Sequence, residues 1–135
     1  MPGRILIVDD DPFICDALEL ILTGAGHATK SLQGGQGVLE SVMALAPDLV
    51  LMDVNMPGVG GMEALDTLRR SGITVPILMM TADSGPATIR DIGARGGSGH
   101  VTKPFDADAL VIRIARMLEP DAAPVPQAPD VPGPR

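Results

Sequence analysis

Tryptophan and tyrosine are absent from this 135-residue chain, and phenylalanine occurs only as Phe13 and Phe105. Any core must therefore be aliphatic, filled by Leu, Ile, Val, Ala and the eight Met. Cysteine is nearly missing too: a single Cys15 excludes an internal disulfide and fits a reducing cytosol. With no His or basic residue beside it in sequence, Cys15 reads as a small buried hydrophobe on a helix rather than a reactive thiol. Basic charge is scarce. Ten Lys and Arg against seventeen Asp and Glu leave a formal net charge of −7, which argues against direct contact with a nucleic-acid backbone. A cation or a basic partner surface suits that balance better. No apolar run approaches the roughly 20 residues needed to cross a bilayer, and MPGRILIV lacks the apolar stretch of a secretion signal. A soluble, cytoplasmic protein with no membrane partner is expected.

What is present is enough for one domain with a real core: 45% of the residues are hydrophobic. Residues 4–8 (RILIV), 48–52 (DLVLM) and 76–80 (PILMM) are nearly continuous apolar runs, the pattern of strands buried on both faces. Weaker strands are expected at 28–32 and 99–102. Between them lie helix-period segments at 12–22, 37–46, 61–70 and 106–119, with Gly24 and Gly26 ending the first and Pro47 stopping the second. Asp11 and Asp106 stand where N-caps belong. A fourth helix is expected to end in the glycine-rich GARGGSGH. Five β-α repeats imply a parallel sheet covered on both faces by helices with right-handed crossovers. The domain is expected over 1–119. Residues 120–135 hold nearly half of the thirteen prolines and read as a disordered tail or linker.

The run ILIVDDDPF poses a physical question. Three carboxylates, Asp9, Asp10 and Asp11, follow directly on an apolar strand. In a doubly wound sheet, ligands bind beyond the carboxyl ends of the strands. Asp53 follows another apolar run, Thr81 the next, and Lys103 the last. Carboxylates a few ångströms apart repel by about 4 kcal/mol per pair at an effective dielectric near 20. A hard divalent ion relieves that repulsion, and oxygen ligands without Cys or His suit Mg²⁺. Asp11, beside Pro12, is better read as a helix cap.

Taken together, these residues resemble the receiver domain of bacterial two-component response regulators, over residues 4 to 119. The acidic pair matches Asp9 and Asp10, and the phosphoacceptor matches Asp53 in LVLMDVNMPGVGGMEAL. The hydroxyl residue matches Thr81 in MMTA, and the lysine matches Lys103 in TKPF. The resemblance implies a flavodoxin-like (βα)5 fold with strand order 2-1-3-4-5. It also implies transfer of a phosphoryl group to Asp53 from a phosphohistidine on a sensor histidine kinase or a histidine phosphotransfer protein. Mg²⁺ would be held by Asp10, Asp53 and the Asn55 carbonyl, with Asp9 acting mainly through bound water. Lys103, the Thr81 hydroxyl and the Ala82 backbone N–H would contact the phosphoryl oxygens, and Thr81 rotation would start a switch read out on the fourth helix, fifth strand and fifth helix. Asn55 and Asp83 occupy positions that tune hydrolysis of the aspartyl phosphate. A cis Lys103–Pro104 bond is expected. Beyond self-phosphorylation and its reversal, no enzyme activity is implied.

The pattern is broken at His100, where the family carries Tyr or Phe; an imidazole there raises the hypothesis of a pH-sensitive switch. The GARGGSGH segment reads as loosely ordered until Asp53 is modified. Gly60 stands where the family's loop often has Asp, a change expected to bear only on capping of the third helix. An alternative reading is a receiver-like interaction module that is never phosphorylated. A haloacid dehalogenase-type phosphatase would need a second carboxylate where Asn55 stands, and no GxxxxGK[ST] loop appears. The downstream protein target, the kinase, and dimerisation on phosphorylation stay open, as does whether the chain stands alone.

Overall fold

A computed structural model describes residues 2–119; the expected proline-rich tail lies outside the described residues. The elements run β1 (Arg4–Val8), α1 (Pro12–Gly24), β2 (Ala28–Leu32), α2 (Val38–Leu45), β3 (Leu49–Asp53), α3 (Gly61–Arg70), β4 (Ile77–Thr81), α4 (Pro86–Ala94), β5 (Gly99–Thr102) and α5 (Ala107–Met117). All strand pairs are parallel, in the order β2-β1-β3-β4-β5. This is the flavodoxin-like arrangement anticipated from the resemblance. No helix among the described residues is long and apolar enough to cross a membrane.

The two-residue period of a strand explains how one sheet serves two cores. Ile5, Ile7, Leu49, Leu51, Leu78 and Met80 face α1 and α5, where Leu18, Leu22, Leu110 and Ile114 meet them. Leu6, Val8, Val50, Met52, Ile77 and Met79 face the other way, against Val42, Leu65, Leu68 and Ile92 of α2, α3 and α4. Every residue of β3 and β4 is buried, which is why those runs do not alternate in polarity.

Several boundaries move, each for a local reason. β3 runs through Asp53 instead of stopping at Met52, and β4 runs from Ile77 through Thr81. Pro76 has no N–H to offer the ladder, although its carbonyl accepts from Val50 N at 2.9 Å. α1 continues through Gly24. Its true end is Gly26, at φ +97°, where Gly26 N bonds the Thr23 carbonyl and His27 N bonds the Leu22 carbonyl. This is a Schellman motif, and α3 and α4 end the same way at Gly72 and Gly96. α2 is trimmed to Val38–Leu45 because Gly37 and Ala46 both adopt left-handed backbone. Asp106 stays outside α5 as its N-cap, accepting from Ala109 N at 3.1 Å.

GARGGSGH is tied to its neighbours by hydrogen bonds. Gly97 N donates to the Ile92 carbonyl at 2.9 Å, Ser98 N to the Ile77 carbonyl at 2.8 Å, and Ser98 Oγ accepts from Ile77 N at 2.9 Å. A side chain on Gly97 would collide with Ile92, and one on Gly99 with the Arg113 guanidinium. The glycines are there because neighbours come close.

Candidate functional site

The chain crosses from one side of the sheet to the other between β1 and β3, and the loops after those two neighbouring strands part to leave a crevice. Asp9 and Asp10 follow β1, and Asp53 is the last residue of β3. Because Asp53 lies within the ladder, opposite Met80, its carboxylate projects from a rigid element. One oxygen from each of Asp9, Asp10 and Asp53 falls within 4.8 Å of the others. Asp9 is fully buried and Asp53 only 5% exposed.

Among the described residues, one cation answers them. Lys103 Nζ lies 3.0 Å from Asp9 Oδ2 and 3.1 Å from Asp53 Oδ1. The ladder carries it there: Thr81 pairs with Thr102, and Lys103 N donates to the Thr81 carbonyl at 2.8 Å. The Lys103–Pro104 peptide is cis. Burial pushes the Asp53 carboxyl above its ordinary pKa; the Lys103 hydrogen bond pulls it back and the Asp9 charge pushes it up again. For Lys103, burial opposes the charge, but the two carboxylates outweigh it and hold the ammonium above its ordinary value.

Three carboxylates against one ammonium leave two negative charges over, all on hard oxygen donors. That is the charge and donor set a Mg²⁺ ion takes. Both oxygens of Asp9 already have donors, Lys103 Nζ and Asp11 N, the latter at 2.9 Å. Asp10 makes no hydrogen bond or ion pair among the described residues, so its carboxylate is the freer of the two. Asp11 is the α1 cap, accepting from Phe13 N at 2.9 Å. Cys15 is buried against Asp9, its Sγ 3.3 Å from the Asp9 carbonyl oxygen, and burial raises its pKa, as for an inert thiol.

Thr81, 1% exposed, ends β4 on the same edge, with Ala82 next. Its hydroxyl faces the backbone of Asp83: Oγ1 donates to the Asp83 carbonyl and accepts from Asp83 N, both at 2.9 Å. Thr81, Asn55 and Asp83 share a cavity of about 420 Å³ between the starts of α3 and α4. His100 lies apart, on β5 beside a second cavity of about 290 Å³, where Arg113 donates to its carbonyl at 2.8 Å. Burial, then the Arg113 charge, depress the His100 pKa, so the ring is neutral near pH 7.

Sequence reasoning missed three participants. Gly61 packs so closely under the Asp53 carbonyl that a Cβ would overlap it, and the GG pair opening α3 was its signal. Thr88 bonds Asp83, and Arg113 holds the His100 strand. Neither leaves a mark in local pattern.

A family model described as response regulator receiver domain matches residues 5–115. The DNA-binding response regulator MtrA of Mycolicibacterium smegmatis is 37% identical over 118 residues, 87% of this chain and 51% of that protein. The transcriptional regulatory protein TcrA of Mycobacterium tuberculosis is 35% identical over 127 residues, 93% of this chain and 49% of that protein. The chain thus spans about half the length of the curated relatives it matches. Among solved structures, the chemotaxis response regulator CheY4 of Vibrio cholerae has a TM-score of 0.81 at 28% identity, covering 87% of this chain and all of that one. The receiver domain of Francisella response regulator 1452 has a TM-score of 0.82 at 25% identity, covering 86% and 96%.

Proposed function

The chain belongs to the response regulator receiver domain family of two-component systems, and on that premise we propose that Asp53 is its phosphoacceptor. The observation that supports this is the Asp53 carboxylate itself, buried at the switch point and bridged to Asp9 by Lys103. The donor is a phosphohistidine on a sensor histidine kinase or a histidine phosphotransfer protein. An Asp53 oxygen forms a bond to phosphorus as the phosphorus–nitrogen bond breaks, and the electron pair leaves with the imidazole.

Such a transfer needs positioning and charge neutralisation more than covalent help. Lys103 already stands at Asp53 Oδ1 and follows the charge onto a phosphoryl oxygen. The Thr81 hydroxyl and the Ala82 N–H take others. Asp10, Asp53 and the Asn55 carbonyl would hold Mg²⁺, with Asp9 assisting through water. When bound, the ion neutralises charge on the moving phosphoryl group. Water attack at phosphorus later returns the carboxylate and free phosphate, and Asn55 and Asp83 set its rate by orienting or excluding that water.

The signal leaves through the face of α4, β5 and α5, where His100 takes the place of the family's aromatic ring. The partner there is a protein. The names of MtrA and TcrA speak of DNA and transcription for chains about twice as long. With a net charge of −7, direct nucleic-acid contact is not proposed for this chain.

Intact-mass spectrometry after incubation with acetyl phosphate tests the reading. One phosphoryl adduct is expected in Mg²⁺, none with chelator, and none in Asp53→Asn. An unmodified wild-type chain in Mg²⁺ would instead favour a receiver-like interaction module.

A further inference from the structure

Asp83 uses every polar group it has. Its carbonyl accepts from Thr81 Oγ1 and its N–H donates back, both at 2.9 Å. Its Oδ1 accepts from Gly85 N at 2.8 Å, and its Oδ2 from Thr88 Oγ1 at 2.7 Å. Gly85 is the N-cap of α4 and has no side chain to cap with, so Asp83 engages the first turn from two residues upstream. A Cβ on Gly85 would come within 3.0 Å of Asp83 Oδ1, so glycine leaves room for the carboxylate. Thr88, at the third helical position, closes the other side. One residue therefore joins the end of β4 to the start of α4.

We propose that Asp83 and Thr88 latch the Thr81 hydroxyl to the first turn of α4 in the unmodified chain, making Thr88 a positioning residue for phosphoryl capture at Asp53. The inference rests on the phosphoacceptor reading. A hydroxyl has one proton to give, and that of Thr81 is given to the Asp83 carbonyl. To donate to a phosphoryl oxygen, Thr81 must rotate away from the Asp83 backbone, and the more firmly Gly85 and Thr88 hold Asp83 in place as its partner, the more that rotation forfeits. The cavity of about 420 Å³ lined by Thr81, Asp83 and Thr88 provides the space. Thr88 thus favours the unmodified arrangement, and its removal shifts the balance toward the phosphoryl-bound one. A residue that merely supported α4 would weaken capture when removed.

Two measurements on the full chain test this, each on wild type, Thr88→Ala and Thr88→Ser. The first is amide hydrogen exchange without any phosphoryl mimic. Thr88→Ala is expected to speed exchange at Asp83 N–H and Gly85 N–H, and Thr88→Ser, which keeps the hydroxyl, to match wild type. The second is NMR titration with beryllofluoride in Mg²⁺, where Thr88→Ala is expected to bind about three- to tenfold more tightly and Thr88→Ser like wild type. Unchanged exchange at Asp83 in Thr88→Ala, or mimic affinity that is unchanged or weaker, would overturn the latch. Wild type failing to take the mimic while exchange still depends on Thr88 would overturn the phosphoacceptor reading, and with it the role of Thr88 at Asp53.

Discussion

At the scale of single residues, the site depends on one close backbone approach as much as on its charges. Gly61 N donates to the Val54 carbonyl at 3.0 Å, folding the loop back under β3. A Cβ there would overlap the Asp53 carbonyl oxygen and come within 2.9 Å of Val54 Cα, and backbone atoms have no rotamer to retreat into. Gly61→Ala is therefore expected to cost about 3 kcal/mol in a urea titration and to slow adduct formation from acetyl phosphate, because the residue displaced is Asp53. Gly24→Ala is the control. It is a helical glycine with open space around its Cβ position, and the change should stabilise the chain by about 0.5–1 kcal/mol. Glycine in the sequence thus marks opposite situations. Only the surroundings tell Gly61, where nothing larger fits, from Gly24, where alanine is the better helix former.

At the scale of elements, α4 and β5 are joined by a closed turn. Gly96 sits at φ +91° with its carbonyl accepting from Arg69 Nε at 2.9 Å, and Arg69 NH1 also donates to the Ile73 carbonyl at 2.8 Å. Arg95 adds ion pairs to Asp66 of α3 at 2.6 Å and to Asp91 of α4 at 2.9 Å. These pairs are more than a third exposed on the Arg95 side and contribute modestly. The Schellman turn matters more. Gly96→Ala forces an L-residue into left-handed backbone at about 1–2 kcal/mol and crowds the Arg69 side chain at 3.1 Å. The expected result is a lower melting temperature together with faster hydrogen exchange at Gly97 N–H, which bonds the Ile92 carbonyl. The number of glycines in this segment was legible in sequence, but the contacts that crowd them were not. Arg69, 27 positions before Gly96, was the missing information.

At the scale of the whole molecule, the edge of the sheet opposite the acidic site holds the two termini of the described fold together. His27, 6% exposed, accepts from Gly3 N at Nδ1 over 3.0 Å. A Cβ on Gly3 would touch Leu118, just beyond α5. Only neutral imidazole keeps an acceptor at Nδ1, and burial depresses the His27 pKa. The unfolded chain therefore takes up a proton near the ordinary imidazole value while the folded chain still resists it. The stability is fully present above that value and is lost as pH falls through it toward the depressed folded pKa. Thermal melts from pH 8 to pH 5 should show falling stability below about pH 6.5, with a shallower fall in His27→Gln, whose amide oxygen accepts without titrating. By itself, the sequence determined the elements, the two-faced core and the identity of the acidic and hydroxyl residues at strand ends. Those are properties of neighbours along the chain: a two-residue period, a 3.6-residue period, a cap beside a helix. Only the tertiary structure decided that Lys103 reaches Asp9 across 94 positions and that Gly61 lies under Asp53. Such contacts depend on ladder register and loop closure, which set distances through space that no local pattern of residues encodes.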